Sequence, residues 1–323
     1  MKTYHQNGTV SELPYILESN AEFAIQKDFR KEHTIFFYPG DNLIREIESE
    51  LDNIYHKFIK IYFANMDSYY EESLTIPLGL ALGGQNSDVP IDKEYFLQLS
   101  KQFAPNFANL HRHLYVADCQ YLISTVQNLL QSAEHCFIQY YIQLSQVSFS
   151  PSLEDGEYMT SSDKTMELAF LLETFFTKLY SILDLMVKIV YELQNPNESF
   201  SSITKLKSAQ KLWGDRKKLN INNAISTIFE DCEIVRQIEA LRNEAVHNGT
   251  WEFRPKVFFK VESANVVERY MLFPDFENGR LATVKNRRHF FSTETKVNEM
   301  LVLIHDEFYT RLWNTLEYIN HNL

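Results

Sequence analysis

Arg242, Asn243 and His247, in the run Arg242-Asn243-x-x-x-His247, are the residues whose types and spacing best suit chemistry. Cleaving a phosphodiester next to a 2′-hydroxyl without a metal needs three services. The hydroxyl must lose a proton, the charge on the phosphorane must be stabilised, and the leaving 5′-oxygen must gain a proton. Histidine exchanges a proton near neutral pH. Arginine keeps its charge and grips phosphate with a planar fork.

These residues sit at the end of a helix in the sequence itself. In EIVRQIEALRNEAVHNG, from Glu233 to Gly249, the residues Ile234, Ile238, Leu241 and Ala245 recur as one apolar stripe. Asn248-Gly249 stops the helix, because glycine suits the left-handed closing position. Arg236, Glu239, Asn243 and His247 fall on the opposite face, and Arg242 lies at the edge of the stripe. Five residues along an ideal helix set Arg242 and His247 roughly 140° apart, so the arginine must curl back to work with the histidine. Asn243 and His247, four apart, are neighbours, which lets Asn243 hold the imidazole or cap the helix end. His247 is in the last turn, where the helix dipole suits a general acid or a phosphate contact. The plain alternative is a capped helix end with Arg242 in a surface ion pair to Glu239 or Glu244.

The spacing resembles the R-x(4–6)-H motif of the HEPN superfamily in its common form beginning Arg-Asn. The resemblance covers roughly residues 160–323. It implies a small helical domain, metal-independent cleavage of RNA with no cofactor, and a homodimer that brings two motif helices together. On that reading Arg242 neutralises the scissile phosphate, His247 transfers the proton and Asn243 orients His247. It also implies a setting in prokaryotic phage defence or a toxin system, with a protein antitoxin or regulatory partner.

Other stretches must position this helix. Lys164 to Gln194 reads as a helix apolar nearly all round, with one narrow polar strip of Thr174, Thr177, Ser181, Asp184 and Lys188. Asp184 either tunes Arg242 or His247 from the second shell of the site, or pairs with Lys188 one turn on. Next come Lys205, Lys207, Lys211, Arg216, Lys217 and Lys218 around Trp213. Basic residues about an aromatic ring can hold phosphates and stack a base. After Gly249 the pattern alternates. Val257–Val261 and Val266–Phe273 read as strands and Asn278-Gly279 as a hairpin turn. Lys285, Arg287, Arg288 and His289 form a second basic cluster, with Arg287 and Arg288 as candidate RNA contacts. A final helix begins at Ser292 or Thr293.

The first half is acidic. Residues 1–159 hold 10 Lys+Arg against 21 Asp+Glu, a balance of −11; residues 160–323 hold 21 against 22, a balance of −1; together they give the formal −12. The first half therefore repels nucleic acid, and only the second can host a basic patch. Helices are expected over 41–65, 92–103 and 106–146, and a short strand at 34–38. His111 and His113 are two apart on a helix, so they face different ways and do not chelate. Three cysteines without a CxxC pair argue against a disulfide framework or zinc knuckle. There is no apolar signal segment and no membrane-length apolar run, so the expectation is a cytoplasmic protein with no membrane partner.

The sequence thus predicts a mainly α protein of two helical modules. Residues 1–159 form an acidic one, and residues 160–323 a HEPN-like bundle with a small antiparallel β insertion near 251–290, joined through a loop at 147–163. The function expected is a HEPN-type endoribonuclease. The alternatives are a non-catalytic module that binds a protein partner or nucleotide, and a toxin whose acidic half covers its basic clusters.

Overall fold

The computed structural model describes residues 2–12, 24–28, 33–37, 41–106, 109–148, 154–200, 203, 219–221, 224–250, 252–292 and 295–323. The protein is mainly α, with eight α-helices and three small antiparallel sheets among the described residues. The chain divides into two compact units: residues 1–45, 129–181 and 230–312, and residues 46–128, 182–229 and 313–323.

The first unit is built on the C-terminal part of α5 (Leu110–Gln146), the N-terminal part of α6 (Asp163–Gln194), α7 (Glu233–Asn248) and most of α8 (Val297–Asn322). Phe137, Tyr140 and Tyr141 of α5, Leu172, Phe175, Phe176 and Leu179 of α6, and Leu301, Ile304 and Phe308 of α8 are all buried. Helices that bury aromatic residues at three- and four-residue spacing gain the area that offsets their ordering. Leu179 and its neighbours bear out the nearly all-round apolar reading of α6. Two hydroxyls of its polar strip turn back on their own helix: Thr177 Oγ1 donates to Glu173 O and Ser181 Oγ to Thr177 O, each at 2.8 Å.

A three-stranded sheet in the order β5-β6-β7 (Gly156–Thr160, Val257–Glu262, Asn265–Tyr270) lies in this unit. The β6–β7 pair is where the alternation of Val257, Phe259 and Val261 placed it, and those three residues are buried. The strand β5 is a correction, because residues 147–163 read as a loop. Glu157, Tyr158 and Met159 align with Lys260, Phe259 and Phe258 of β6. Pairing across about a hundred residues leaves no local trace in so short and polar a segment. Another short hairpin, β8 (Phe276–Glu277) with β9 (Arg280–Leu281), turns at Asn278-Gly279, both with positive φ (55° and 74°), as its turn type requires. A further sheet, β2-β1-β3-β4 (Val10–Glu12, Lys2–His5, Ala24–Asp28, His33–Phe37), occupies the N-terminal residues, where the sequence suggested a single strand. The final helix starts at Val297 rather than at Ser292, whose backbone N–H donates instead to Asp275 Oδ1 at 2.8 Å; Thr293 lies outside the described residues.

The second unit holds α1 (Asp41–Tyr62) from residue 46 on, with α2 (Met66–Ser73), α3 (Leu78–Ala81) and α4 (Lys93–Phe103). Ile47, Leu51, Ile54 and Phe58 form the buried stripe of α1. Asp92 caps α4 by accepting from Tyr95 N at 2.8 Å. His113 is buried and meets Glu72 at 3.1 Å, a packing role.

One buried charge anchors the first unit. His305 of α8 is 2 % exposed, stacked between Phe137 and Tyr309, with Nε2 2.8 Å from Glu134 and Nδ1 3.0 Å from Asp306. Burial opposes the charged ring, but Glu134, helped by Asp306, outweighs it and raises the pKa to about 9. A group raised on folding stabilises fully below its unfolded value and loses that contribution as pH rises through the folded one. Unfolding measured between pH 6 and 10 should therefore show stability falling by on the order of a few kcal/mol from about pH 6.5 to about 9. His305→Gln should be less stable at pH 6 and should flatten that slope.

Candidate functional site

The motif helix α7 buries Val235, Gln237, Ile238, Leu241 and Glu244. The buried face is thus turned slightly from the stripe read in the sequence: Ile234 and Ala245 are only half-buried, and a carboxylate takes a core position. Gly249, at φ 91°, closes the helix as expected. The helix packs against the β8–β9 hairpin. A Cβ on Gly279 would stand 2.8 Å from Cβ of Arg236, so the turn can approach the helix only with glycine there.

Arg242 is half-buried, with its guanidinium over the Tyr180 ring at 4.8 Å. Its Nη1 donates to Asn243 Oδ1 at 3.0 Å. Asn243 was expected to hold the His247 ring; what its amide orients here is the guanidinium. The reason is that Arg242 leans toward Tyr180 of α6 and its fork falls beside the adjacent amide. His247 is exposed at the helix tip, with no hydrogen bond or ion pair to another described residue.

Glu244, inside the motif's spacer, is only 4 % exposed. Its Oε1 faces Arg288 Nε at 3.3 Å and His289 Nε2 at 3.1 Å, and its Oε2 accepts from Asn248 Nδ2 at 2.9 Å. A buried carboxylate is tolerable only when its oxygens are paired in this way. Glu244 therefore does not pair with Arg242, as the plain reading of a surface ion pair allowed, but pulls the second basic cluster onto the motif helix. The cluster arrives on a tight turn in which Val284 and Arg287 exchange backbone hydrogen bonds at 2.8 and 3.0 Å. Arg287 is exposed beside it.

Glu173 of α6 is half-buried, and burial pushes its carboxyl above the usual range while a hydrogen bond from Thr250 pulls it back. Thr250 directly follows Gly249. Glu173 and Tyr180, seven apart on α6, thus border the two ends of the motif segment. Sequence reasoning missed Glu173, Tyr180, Glu244 and His289 as site residues. The available signal for Glu244 was its place seven residues after Gln237, on the buried side. Asp184 is half-buried on α6 and belongs to the second unit, whereas Arg242 and His247 belong to the first. Lys205, Lys207, Lys211, Arg216, Lys217 and Lys218, with Trp213, lie outside the described residues.

No helix among the described residues is long and apolar enough to cross a membrane. No curated protein matches the chain, and no solved structure does. A family model does match. Residues 119–271 fit the model described as Cthe2314-like HEPN, a span that starts within α5, holds α6, α7 and the β6–β7 pair, and ends before the 284–289 turn. The resemblance carried by Arg242-Asn243 and His247 is thereby supported over a whole stretch of chain, and residues 119–271 are a HEPN-type region.

Proposed function

We propose that this chain is a metal-independent endoribonuclease of HEPN type acting as a homodimer. The observation that carries the reading is the assembly at one helix tip. Arg242 is held ready on Tyr180, His247 is open to solvent in the last turn, and Arg288 is tied alongside by Glu244. Two guanidinium groups and an imidazole suit a phosphodiester.

In the proposed reaction the 2′-oxygen attacks phosphorus and loses its proton, the P–O5′ bond breaks, and His247 gives a proton to the departing 5′-oxygen. The products are a 2′,3′-cyclic phosphate and a 5′-hydroxyl. Arg242 neutralises the non-bridging oxygens as charge develops, its fork set by the Asn243 amide below and the Tyr180 face behind. Arg287 and Arg288 lead the flanking backbone in.

Exposed apolar residues surround the tip: Val246 on α7, Phe253 just after it, and Met166 and Phe170 one turn apart on α6, 51 to 82 % exposed. Pro255, two residues after Phe253, meets the start of α6, where Thr165 Oγ1 donates to Pro255 O at 2.9 Å. In the proposed homodimer a second copy covers these residues, which puts the two motif tips together. The same surface favours the second reading, a non-catalytic module that takes a protein partner there. That reading expects no ribonuclease activity and a complex that survives His247→Ala.

Cleavage of RNA in EDTA separates the two. Arg242→Ala and His247→Ala should each lower the rate about 100-fold or more; equal rates in wild type and both variants remove the nuclease reading. Tyr180→Leu keeps an apolar side chain but removes the ring under Arg242, and should cost up to about tenfold. Light scattering checks the dimer: Phe170→Asp with Phe253→Asp should give monomers, and an unchanged mass would place the interface elsewhere. Growth arrest on expression, lost in His247→Ala, would support a toxin or phage-defence role.

A further inference from the structure

The motif helix supplies one imidazole, and the proposed reaction moves two protons. A second imidazole is tied to the same helix through Glu244. His289 Nε2 is 3.1 Å from Glu244 Oε1, and Glu244 precedes His247 by three residues, so the two share a helix face about one turn apart. The ring is about one-third exposed, whereas its carboxylate partner is only 4 % exposed. With Nε2 engaged by Glu244, Nδ1 is the ring nitrogen left for a substrate. A buried carboxylate that fixes one nitrogen of a half-exposed imidazole sets both the ring's orientation and its tautomer. The two other groups on Glu244, Arg288 and Asn248, lock the carboxylate in turn.

Resting on the nuclease reading above, we propose that His289 is a further catalytic residue, the base that takes the 2′-hydroxyl proton, with Glu244 as its positioning residue. The proton passes from the 2′-oxygen to Nδ1 of His289 as the 2′-O–P bond forms. His247 gives its own proton to the 5′-oxygen as the P–O5′ bond breaks. The two imidazoles end with exchanged protonation states, and water restores them. One protomer then carries both proton-transfer groups, and dimerisation positions RNA rather than completing the chemistry. Residues 284–289 lie beyond the HEPN match at 119–271, so this base is outside the matched span.

The test uses the full-length protein and two RNA substrates, one with an ordinary phosphodiester and one with a 5′-bridging sulfur, a leaving group that needs no proton. His289→Ala should lower the maximal rate about 100-fold or more on both substrates with little change in KM. His247→Ala should be slow on the ordinary substrate and recover on the sulfur one. His289→Asn keeps a donor for Glu244 and should hold the wild-type melting temperature while staying as slow as His289→Ala. Glu244→Gln should be intermediate. His289→Ala within threefold of wild type overturns the proposal, as does its rescue by the sulfur leaving group or recovery of activity in His289→Asn. A wild type that cleaves no RNA overturns the nuclease reading as well. A wild type that cleaves while His289→Ala cleaves equally well overturns only this one.

Discussion

The arrangement at the motif depends on a carboxylate taken out of water. Glu244 sits where an apolar side chain would close the helix face, and it is paired on both oxygens, by Arg288 and His289 on one and Asn248 on the other. Removing such partners costs about 3–5 kcal/mol, because the charge would be left uncompensated. The pairing therefore fixes more than itself. It holds the turn at 284–289 against α7, sets the end of α7 through Asn248, and gathers positive charge where α7 ends. The glycine at 279 serves the same approach from the neighbouring hairpin, which could not come so close to Arg236 with a side chain in the way.

Around that pairing the faces of α7 divide the labour. Val235, Ile238 and Leu241 hold the helix in the unit, and their burial is non-directional. Arg242 lies at the edge of that face, where a long side chain can rest its stem on apolar surface and keep its fork accessible. The Tyr180 ring and the Asn243 amide reduce its freedom before any phosphate arrives, which lowers the entropic cost of binding. His247 has no such support among the described residues. An unsupported imidazole at an exposed tip acquires its orientation from what docks there, which accords with the apolar residues exposed about it.

The HEPN match covers part of these features. The match takes in α6 and α7, hence Tyr180, Arg242, Glu244 and His247, but it stops short of Arg288 and His289. A carboxylate within the match is paired with side chains outside it. The small β elements inserted between α7 and α8 thus do more than decorate a helical bundle; they return the chain to the motif with two more nitrogen groups.

The sequence by itself determined what repeats locally. Apolar spacing of three and four marked the long helices and the core face of α6, alternation marked the β6–β7 pair, and Asn278-Gly279 marked the turn of the β8–β9 hairpin, because each of these signals is written in neighbouring residues. The Arg-Asn-x-x-x-His spacing was legible for the same reason. Only the tertiary structure decided which way Arg242 leans, that Asn243 serves the guanidinium, that Thr177 and Ser181 of the polar strip bond back to α6, and that Gly156–Thr160 joins the sheet at its edge. Glu244 shows why most plainly: two of its three partners, Arg288 and His289, lie more than forty residues away, and a carboxylate on a helix reads as solvated until a distant turn is folded against it. Long-range pairing of polar groups leaves no period in the chain, so its outcome belongs to packing alone.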